Sequence, residues 1–152
     1  MAHWVRFERS GVAGFGTLEG DGIAVHTGNM FNGAQPTGES LALASVKLLT
    51  PTVPTKIIAL WNNFHALAAK LNSPVPADPL YLLKAGSCLT EPGATVRRPS
   101  SYDGKVVYEG ELGIVIGKTA TNVSEEDAGS HIFGYTCVND ITAADIINKD
   151  AT

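Results

Sequence analysis

Short apolar runs separated by glycine and proline recur along the chain, a pattern typical of proteins built mainly from β-strands. The longest run, residues 106–117, reads VVYEGELGIVIG and predicts a strand, because β-branched residues dominate it and a glycine closes it. Glu109 and Glu111 stand inside this apolar segment. Alternate side chains of a strand share one face, so the two carboxylates are expected on one face, about 6.7 Å apart. A cation between them would relieve their repulsion, although an edge strand facing water explains the two acids equally well.

The N-terminal part predicts a small antiparallel β-module. The polar stretch 19–22 is a hairpin signal between two of its strands. Residues 30–40 carry glycine, proline and polar side chains and predict a loop. Two prolines then indicate a linker, so we place a domain boundary near Pro54, between a small domain at 1–54 and the first part of a second domain at 55–152. The predicted strands of the module are 4–7, 14–18, 22–26 and 46–49.

The second part predicts strands separated by short helices and loops. Three closely spaced prolines after the first helix forbid regular structure and predict an exposed loop. Ser124 is a good helix N-cap, and the acids that follow it suit the positive end of a helix. Asp140 is expected at the end of the following strand, and Asp145 exposed on the last helix. The predicted strands are 56–60 (a buried one), 80–84 and 133–138, and the predicted helices are 66–71, 124–128 and 141–148.

Composition and charge restrict the classes of protein that fit. The 152 residues suit one domain, or a small domain joined to part of a larger one. The formal net charge is −4 and there is no basic run, which argues against a nucleic-acid partner. Neither a signal-peptide core nor an apolar run of the roughly 20 residues that span a membrane is visible, so we expect a cytoplasmic protein. Cys88 and Cys137 lie in apolar surroundings without a CxxC motif and are expected to be buried free thiols.

Glu109, Glu111 and Asp140 form a set of three oxygen ligands. Such a set suits Mg²⁺, Mn²⁺ or Ca²⁺ rather than zinc, because neither histidine nor cysteine accompanies it. Mg²⁺ usually keeps several waters, so three carboxylates would leave positions for a substrate. The spacing alone is a weak signal, and solvated acids at strand ends remain the alternative interpretation.

Four segments, in order along the chain, resemble the fumarylacetoacetate hydrolase family. The run YEGELGIVIGK at 108–118 is similar to its Y-E-x-E-L…I-G-K signature, and FGYTCVNDITA at 133–143 to its G-Y…N-D-[VI]-[ST]-A segment. IIALWNNFH at 57–65 resembles I-x-x-x-G-x-N-Y-x-x-H, and YLLK at 81–84 resembles F-x-K-P. Four ordered segments are far more specific than any one of them. The leading strands are also similar to the small N-terminal domain of bacterial members.

The resemblance implies a fold, an activity and a set of site residues. The expected fold is α+β and β-rich, a mixed β-roll preceded by the small N-terminal β-module. Family members are metal-dependent acylpyruvate hydrolases, oxaloacetate decarboxylases and isomerases of 2-hydroxymuconate-type diacids from aromatic breakdown, and the resemblance suggests a homodimer. It places the metal ligands at Glu109, Glu111 and Asp140, the active-site histidine at His65 and the oxyanion-neutralising lysine at Lys84.

The expected chemistry passes through an enolate. A 2-oxo acid can chelate the metal ion through its carboxylate and keto oxygens, which polarises the carbonyl. The cation and Lys84 would stabilise the charge that develops on those oxygens, and His65 would remove or relay a proton. Hydrolysis, decarboxylation and keto–enol isomerisation share this enolate, so the ligand set does not distinguish among them.

Several positions depart from the family pattern. Ala68 replaces the glutamate of H-x-x-E, so a hydrolytic His–Glu pair is not expected, and Ala85 replaces the proline after the lysine. Ala144 replaces the arginine of N-D-x-x-A-R-D, although Asp145 is kept. The sequence also stops before the family's R-x-K-x-x-D segment, so we expect an incomplete sequence or a fragment. These departures keep two alternatives open: a non-catalytic homologue that binds metal and oxo acid, and a purely structural β-rich module.

Overall fold

Five antiparallel strands form a sheet near the N-terminus, here called the N-terminal sheet, with the order β4-β3-β2-β1-β5. The computed structural model describes residues 2–147 and 149. Tight turns join the first three strands: Ser10 and Gly11 both have positive φ between β1 and β2, and Gly20 has φ +59° between β2 and β3. The predicted hairpin is therefore confirmed. The strands are β1 Trp4–Arg9, β2 Val12–Glu19, β3 Gly22–Thr27, β4 Gln35–Ala42 and β5 Lys47–Leu48.

Strand β4 lies where the sequence predicted a loop, so that prediction was wrong. Pro36 and Gly38 suggested a loop, yet β4 is the outer strand of the sheet, where a proline costs no ladder hydrogen bond on its open side. The register between β3 and β4 shifts between Ala24 and His26, which accommodates the irregular stretch. The predicted strand 46–49 is present as the two-residue β5.

The core of the N-terminal sheet centres on two side chains. Phe7 is 4% exposed and Ile23 is fully buried. Gly16 allows β2 and β3 to approach closely above Ile23, since a Cβ at position 16 would lie 2.2 Å from the carbonyl oxygen of Ala24. The ring of Phe31, in the segment between β3 and β4, packs edge-on against the ring of Phe133, with 4.9 Å between ring centroids. This contact joins the N-terminal part of the chain to the later part.

The remaining chain forms two further antiparallel pairs. Strand β6 pairs with β7, and the longer β8 pairs with β9. Ser124 caps α2 as predicted, because its hydroxyl accepts a hydrogen bond from the Asp127 amide at 3.2 Å. The strands are β6 Ile57–Trp61, β7 Leu80–Lys84, β8 Val106–Ile116 and β9 Ile132–Ala143, and the helices are α1 His65–Leu71, α2 Glu125–Ala128 and α3 Ala144–Ile147.

Strand β9 is longer than predicted. It continues through Ala143, so Asp140 lies inside the strand rather than at its end, and the last helix starts at Ala144 instead of residue 141. The strand is longer because β8 supplies pairing partners for β9 as far as Val106, which pairs with Ala143. The predicted helix end at Asn148 lies outside the described residues.

Burial in β6–β9 is lower than the sequence suggested. Ile58 of the expected buried strand is 57% exposed, and both Cys88 and Cys137 are exposed free cysteines, so these predictions were wrong. The physical reason is that each pair is a two-stranded sheet without a second layer over its apolar face in the described part of the chain. Within that part, no helix combines the length and apolar character needed to cross a bilayer.

Candidate metal centre

The register of β8 and β9 brings three acidic side chains together. Glu109 pairs directly with Asp140, and Glu111 pairs with Val138 two positions further along the ladder. Directly opposed residues of an antiparallel pair place their Cβ atoms roughly 5 Å apart on one face, and residues i and i+2 share that face. Asp140 therefore lies opposite Glu109 and diagonal to Glu111.

The carboxylates converge within the range of a shared ion. One oxygen from each of the three acids lies within 4.8 Å of the other two. Glu109 is exposed, whereas Glu111 and Asp140 are half-buried. The glutamates end closer together than the backbone repeat alone predicts, because their side chains lean toward each other.

Lys84 brings a positive charge to this cluster from another hairpin. It is the last residue of β7, and its Nζ lies 2.5 Å from Oδ2 of Asp140. The two side chains are 28% and 18% exposed, respectively, so the pair is partly shielded from water. A charge-assisted hydrogen bond in such surroundings is stronger than one between fully exposed groups.

Glu111 is a member of the cluster whose pKa is shifted by its surroundings. Partial burial raises the pKa of this carboxyl, and the negative charges of Asp140 and Glu109 raise it further. Lys84 opposes the increase. The folded chain therefore bears an electrostatic cost at Glu111 that a second cation near these acids would relieve.

The donor set fits a hard divalent cation. All the converging atoms are carboxylate oxygens, and three acidic charges face the single positive charge of Lys84. Oxygen-only sites suit Mg²⁺, Mn²⁺ or Ca²⁺, whereas zinc and copper favour nitrogen and sulfur ligands. The residues that would hold such an ion are Glu109, Glu111 and Asp140.

His65 lies in the β6–β7 hairpin, whereas the three acids lie in β8 and β9. It is the first residue of α1, is exposed and does not belong to the converging group. Lys84 pairs with Ile57 at one end of the β6–β7 ladder, and α1 follows the other end, at Trp61. Four ladder steps, about 13 Å, separate those two ends. In the described residues, the Nζ atom of Lys84 meets Asp140, whereas His65 is not among the residues whose ligand atoms converge within 4.8 Å.

A group of residues at the open end of the β8–β9 hairpin was not predicted from the sequence. Asp145, expected to be exposed, is half-buried, and its carboxylate accepts a hydrogen bond from the Lys105 amide at 3.1 Å. Tyr102 joins the same contact, because its hydroxyl donates to the Lys105 carbonyl at 2.7 Å. The retained acid in the N-D-x-x-A-R-D segment was the available signal for Asp145. Tyr102 carried no comparable signal.

Two cavities in the described part of the chain lie elsewhere. A cavity of about 310 Å³ opens between the N-terminal sheet and the linker, with Arg6, Phe15 and Phe31 among its lining residues. A second cavity, of about 240 Å³, lies over β3 and β4. None of the three acids lines either cavity, and the carboxylate cluster sits on an open face.

Fold and site together define a β-rich protein with an oxygen-donor carboxylate centre on a two-stranded ladder. A family model described as "Fumarylacetoacetate (FAA) hydrolase C-terminal" matches residues 56–152, and one described as "Rv2993c-like, N-terminal" matches residues 2–51. The chain belongs to the fumarylacetoacetate hydrolase family, which confirms the resemblance and the β-rich fold class predicted from the sequence.

Named relatives agree with this assignment. Oxaloacetate tautomerase YisK of Bacillus subtilis is 36% identical over 137 residues, which cover 84% of this chain and 46% of that protein. The structure of 2-hydroxyhepta-2,4-diene-1,7-dioate isomerase from Mycobacterium marinum matches with a TM-score of 0.86 and 29% identity, over 100% of this chain and 59% of that one. Maleylpyruvate hydrolase from Sphingobium sp. SYK-6, in complex with manganese(II) ion and pyruvate, matches with a TM-score of 0.70 and 30% identity, over 93% and 59% of the two chains.

The matches cover only part of these proteins. The chain spans 45% and 46% of the length of two curated relatives it matches. It spans 58–60% of the five similar solved chains with TM-scores of 0.85–0.88.

Proposed function

We propose that the protein is a divalent-metal-dependent enzyme that moves a proton on small 2-oxo diacids, by keto–enol tautomerisation or isomerisation. The observation that carries the proposal is the convergence of Glu109, Glu111 and Asp140 within 4.8 Å. Membership of the fumarylacetoacetate hydrolase family and the similarity to an oxaloacetate tautomerase and a dioate isomerase support the substrate class.

The metal has a defined place in this proposal. Mg²⁺ or Mn²⁺ held by the three carboxylates would supply positive charge to the carboxylate and keto oxygens of a 2-oxo acid. Mn²⁺ is the better probe, since one structural neighbour was solved with manganese(II) and pyruvate. Ca²⁺ is a weaker candidate because it prefers more oxygen ligands than three carboxylates provide.

Lys84 and His65 have separate roles in the proposed reaction. Lys84 holds its ammonium group at Asp140, beside the oxygens where enolate charge develops, and stabilises that charge. His65 is the proposed proton relay, because an imidazole can both accept and donate a proton through its ring nitrogens. Its exposed position at the start of α1 gives it access to a proton from water.

Proton transfer is favoured over carbon–carbon bond hydrolysis by the residue three positions after His65. Hydrolysis requires a base that activates water, and the His–Glu pair of H-x-x-E would supply one. Ala68 stands at the glutamate position and is only 3% exposed, so no carboxylate reaches His65 from that turn of α1. A keto–enol shift requires only the removal and return of one proton.

The wider organisation is also proposed. We assign residues 1–54 to a small domain and 55–152 to the first part of a catalytic β-roll, supported by family matches that end at 51 and begin at 56. We further propose a cytoplasmic homodimer. The exposed apolar side chains of β8, with Leu112 67% exposed, support a covered face in the assembled protein. Sedimentation of the full-length protein at several concentrations tests the dimer.

Thermal unfolding with and without metal tests the site. Mn²⁺ should raise the melting temperature of the full-length protein in a concentration-dependent way, because a ligand that binds only the folded state stabilises it. Glu109→Ala should abolish that rise, whereas Glu126→Ala, which removes an exposed acid of α2, should leave it unchanged. A wild-type protein that does not respond to Mn²⁺ or Mg²⁺ would support the purely structural alternative.

Turnover is tested by mixing enol-oxaloacetate with the Mn²⁺-loaded protein and following the loss of enol absorbance. Acceleration that EDTA removes supports the proposal. A protein that binds Mn²⁺ but leaves oxaloacetate, acylpyruvates and hydroxymuconate-type acids unchanged would be a binding homologue without catalysis. Acylpyruvate cleavage faster than enol loss would show that hydrolysis, not proton transfer, is the reaction.

A further inference from the structure

The alignment of Glu109 with Asp140 depends on a register that no tight turn fixes. The connection between β8 and β9 runs from Gly117 to His131 and contains α2 and a 3-10 turn, so it does not dictate which residues face each other. The ladder is also irregular between Val115 and Ile116, near that connection. A slip of one residue would turn every side chain of one strand to the opposite face and separate the acids.

The open end of the hairpin is held by a closed ring of hydrogen bonds among Tyr102, Lys105 and Asp145, here called the hairpin clasp. The Tyr102 hydroxyl donates to the Lys105 carbonyl at 2.7 Å and accepts from the Asp145 amide at 3.1 Å. The Lys105 amide donates to Oδ2 of Asp145 at 3.1 Å. The backbone amide of Lys105 is thus bound directly to the segment that follows β9, and its carbonyl is linked to that segment through the Tyr102 hydroxyl.

The clasp extends the β8–β9 ladder by one hydrogen bond and packs closely against Gly104. The Ala144 amide also donates to the Lys105 carbonyl, at 3.0 Å, one step beyond the Val106–Ala143 pair. Gly104 lies against the ring of bonds so closely that a Cβ there would sit 2.3 Å from Oδ2 of Asp145 and 2.7 Å from the Tyr102 hydroxyl. The loop before β8 is therefore packed closely against the segment that follows β9 in the observed register.

We infer that the hairpin clasp positions the metal ligands, with Tyr102 and Asp145 acting through the register of β8 and β9. Glu109 and Asp140 form the third pair inward from Val106 and Ala143, about 10 Å along the strands from that end pair. Neither clasp side chain belongs to the group of converging carboxylates, so its effect on the metal is indirect. The inference rests on the proposed function, since it assumes that the three acids bind a divalent cation.

The test measures Mn²⁺ affinity of the full-length protein by titration with EPR detection of free Mn²⁺. Tyr102→Phe and Asp145→Ala should each weaken Mn²⁺ binding about tenfold. A loss of this size corresponds to the free energy that one hydrogen bond contributes. Asp145→Asn keeps an acceptor for the Lys105 amide and should stay within about twofold of wild type. The matched control is Ile23→Val, which lowers stability at the core of the N-terminal sheet without touching the clasp and should leave the affinity unchanged.

The outcomes separate the two proposals. If wild type binds no Mn²⁺, the proposed function fails, and this inference fails with it. If wild type binds Mn²⁺ but Tyr102→Phe and Asp145→Ala lower only the melting temperature, the clasp is merely structural and the inference is wrong while the proposed function stands. If Asp145→Asn loses as much affinity as Asp145→Ala, the charge of Asp145 rather than its hydrogen bond is responsible, which also overturns the inference.

Discussion

Lys84 and Asp140 join the β6–β7 hairpin to the β8–β9 hairpin through a contact of 2.5 Å between Nζ and Oδ2. The lysine ends its strand, and the aspartate lies inside the long strand β9. The contact places a positive charge on one of the three carboxylates that would hold a metal ion. The same lysine thus partly neutralises the cluster without metal and would repel a divalent cation that enters it.

Lys84→Met should therefore separate binding from turnover. Removing the ammonium group should leave Mn²⁺ affinity at pH 8 unchanged or several-fold tighter, because the repulsion between the two cations is gone. Enol turnover should fall about 10²–10³-fold, the usual loss when one charge-stabilising group is removed. Titration of Mn²⁺ and stopped-flow absorbance of enol-oxaloacetate measure the two quantities. The control is Lys70→Met at an exposed position of α1, and parallel loss of affinity and turnover in Lys84→Met would contradict the assigned role.

Glu111 gives the metal-free protein a pH-dependent stability of known sign. Its pKa in the folded chain is raised above the ordinary 4.5, so the native state binds more protons than the unfolded state between those two values. The free energy of unfolding contributed by Glu111 therefore decreases as pH rises through that window. Glu111→Gln should melt higher than wild type at pH 7 without metal, and the difference should shrink toward pH 4 as the wild-type carboxyl takes up its proton.

Differential scanning calorimetry with EDTA at a series of pH values measures this effect. Glu126→Gln removes an exposed acid of α2 and serves as the control, with no comparable gain expected. Saturating Mn²⁺ should reverse the order and make wild type the more stable protein, since the variant lacks a ligand. A Glu111→Gln variant that melts below wild type at pH 7 without metal would contradict the electrostatic account of the cluster.

Metal affinity should decrease in acid for the same reason. The carboxylates must be deprotonated to bind a cation, and the raised pKa of Glu111 favours protonation of this ligand as the pH falls. Below that pKa, the Mn²⁺ binding constant should fall by up to about tenfold per pH unit for each proton displaced. Isothermal titration at pH 4, 5, 6 and 8, a range that begins below the ordinary carboxyl pKa of 4.5, in buffers of different ionisation enthalpy would count the released protons. Constant affinity across this range would exclude Glu111 from the ligand set.

The parts of the fold that sequence reasoning predicted correctly are those controlled by local pattern. The apolar, β-branched run gave β8, and Ser124 with its acidic neighbours gave the start of α2. The parts it missed depend on partners distant in sequence. Pro36 is tolerated in β4 because that strand is at the sheet edge, and β9 runs past Asp140 because β8 provides a ladder for it.

The candidate site shows the same division. Motif resemblance supplied the three acids and Lys84, but the direct pairing of Glu109 with Asp140 follows from the register of two strands whose connection is long. Nothing in the local sequence around Lys84 indicates that its ammonium group meets Asp140. The exposure of Cys137 could not be predicted either, because apolar neighbours in the sequence do not reveal whether another layer of the protein covers that strand.

Gly16 provides a test of the N-terminal sheet that is independent of the metal centre. Gly16→Ala should lower the free energy of unfolding by about 1–3 kcal/mol, because the new Cβ would lie 2.2 Å from a backbone oxygen of β3 and 2.8 Å from Ile23, neither of which can move freely. Gly129→Ala is the matched control, since Gly129 has right-handed helical φ and ψ and no atom within 4 Å of a Cβ. Urea unfolding measures both variants. Because none of the three acids lies in the N-terminal sheet, folded Gly16→Ala should keep wild-type Mn²⁺ affinity, and a loss of affinity would show that this sheet also shapes the carboxylate cluster.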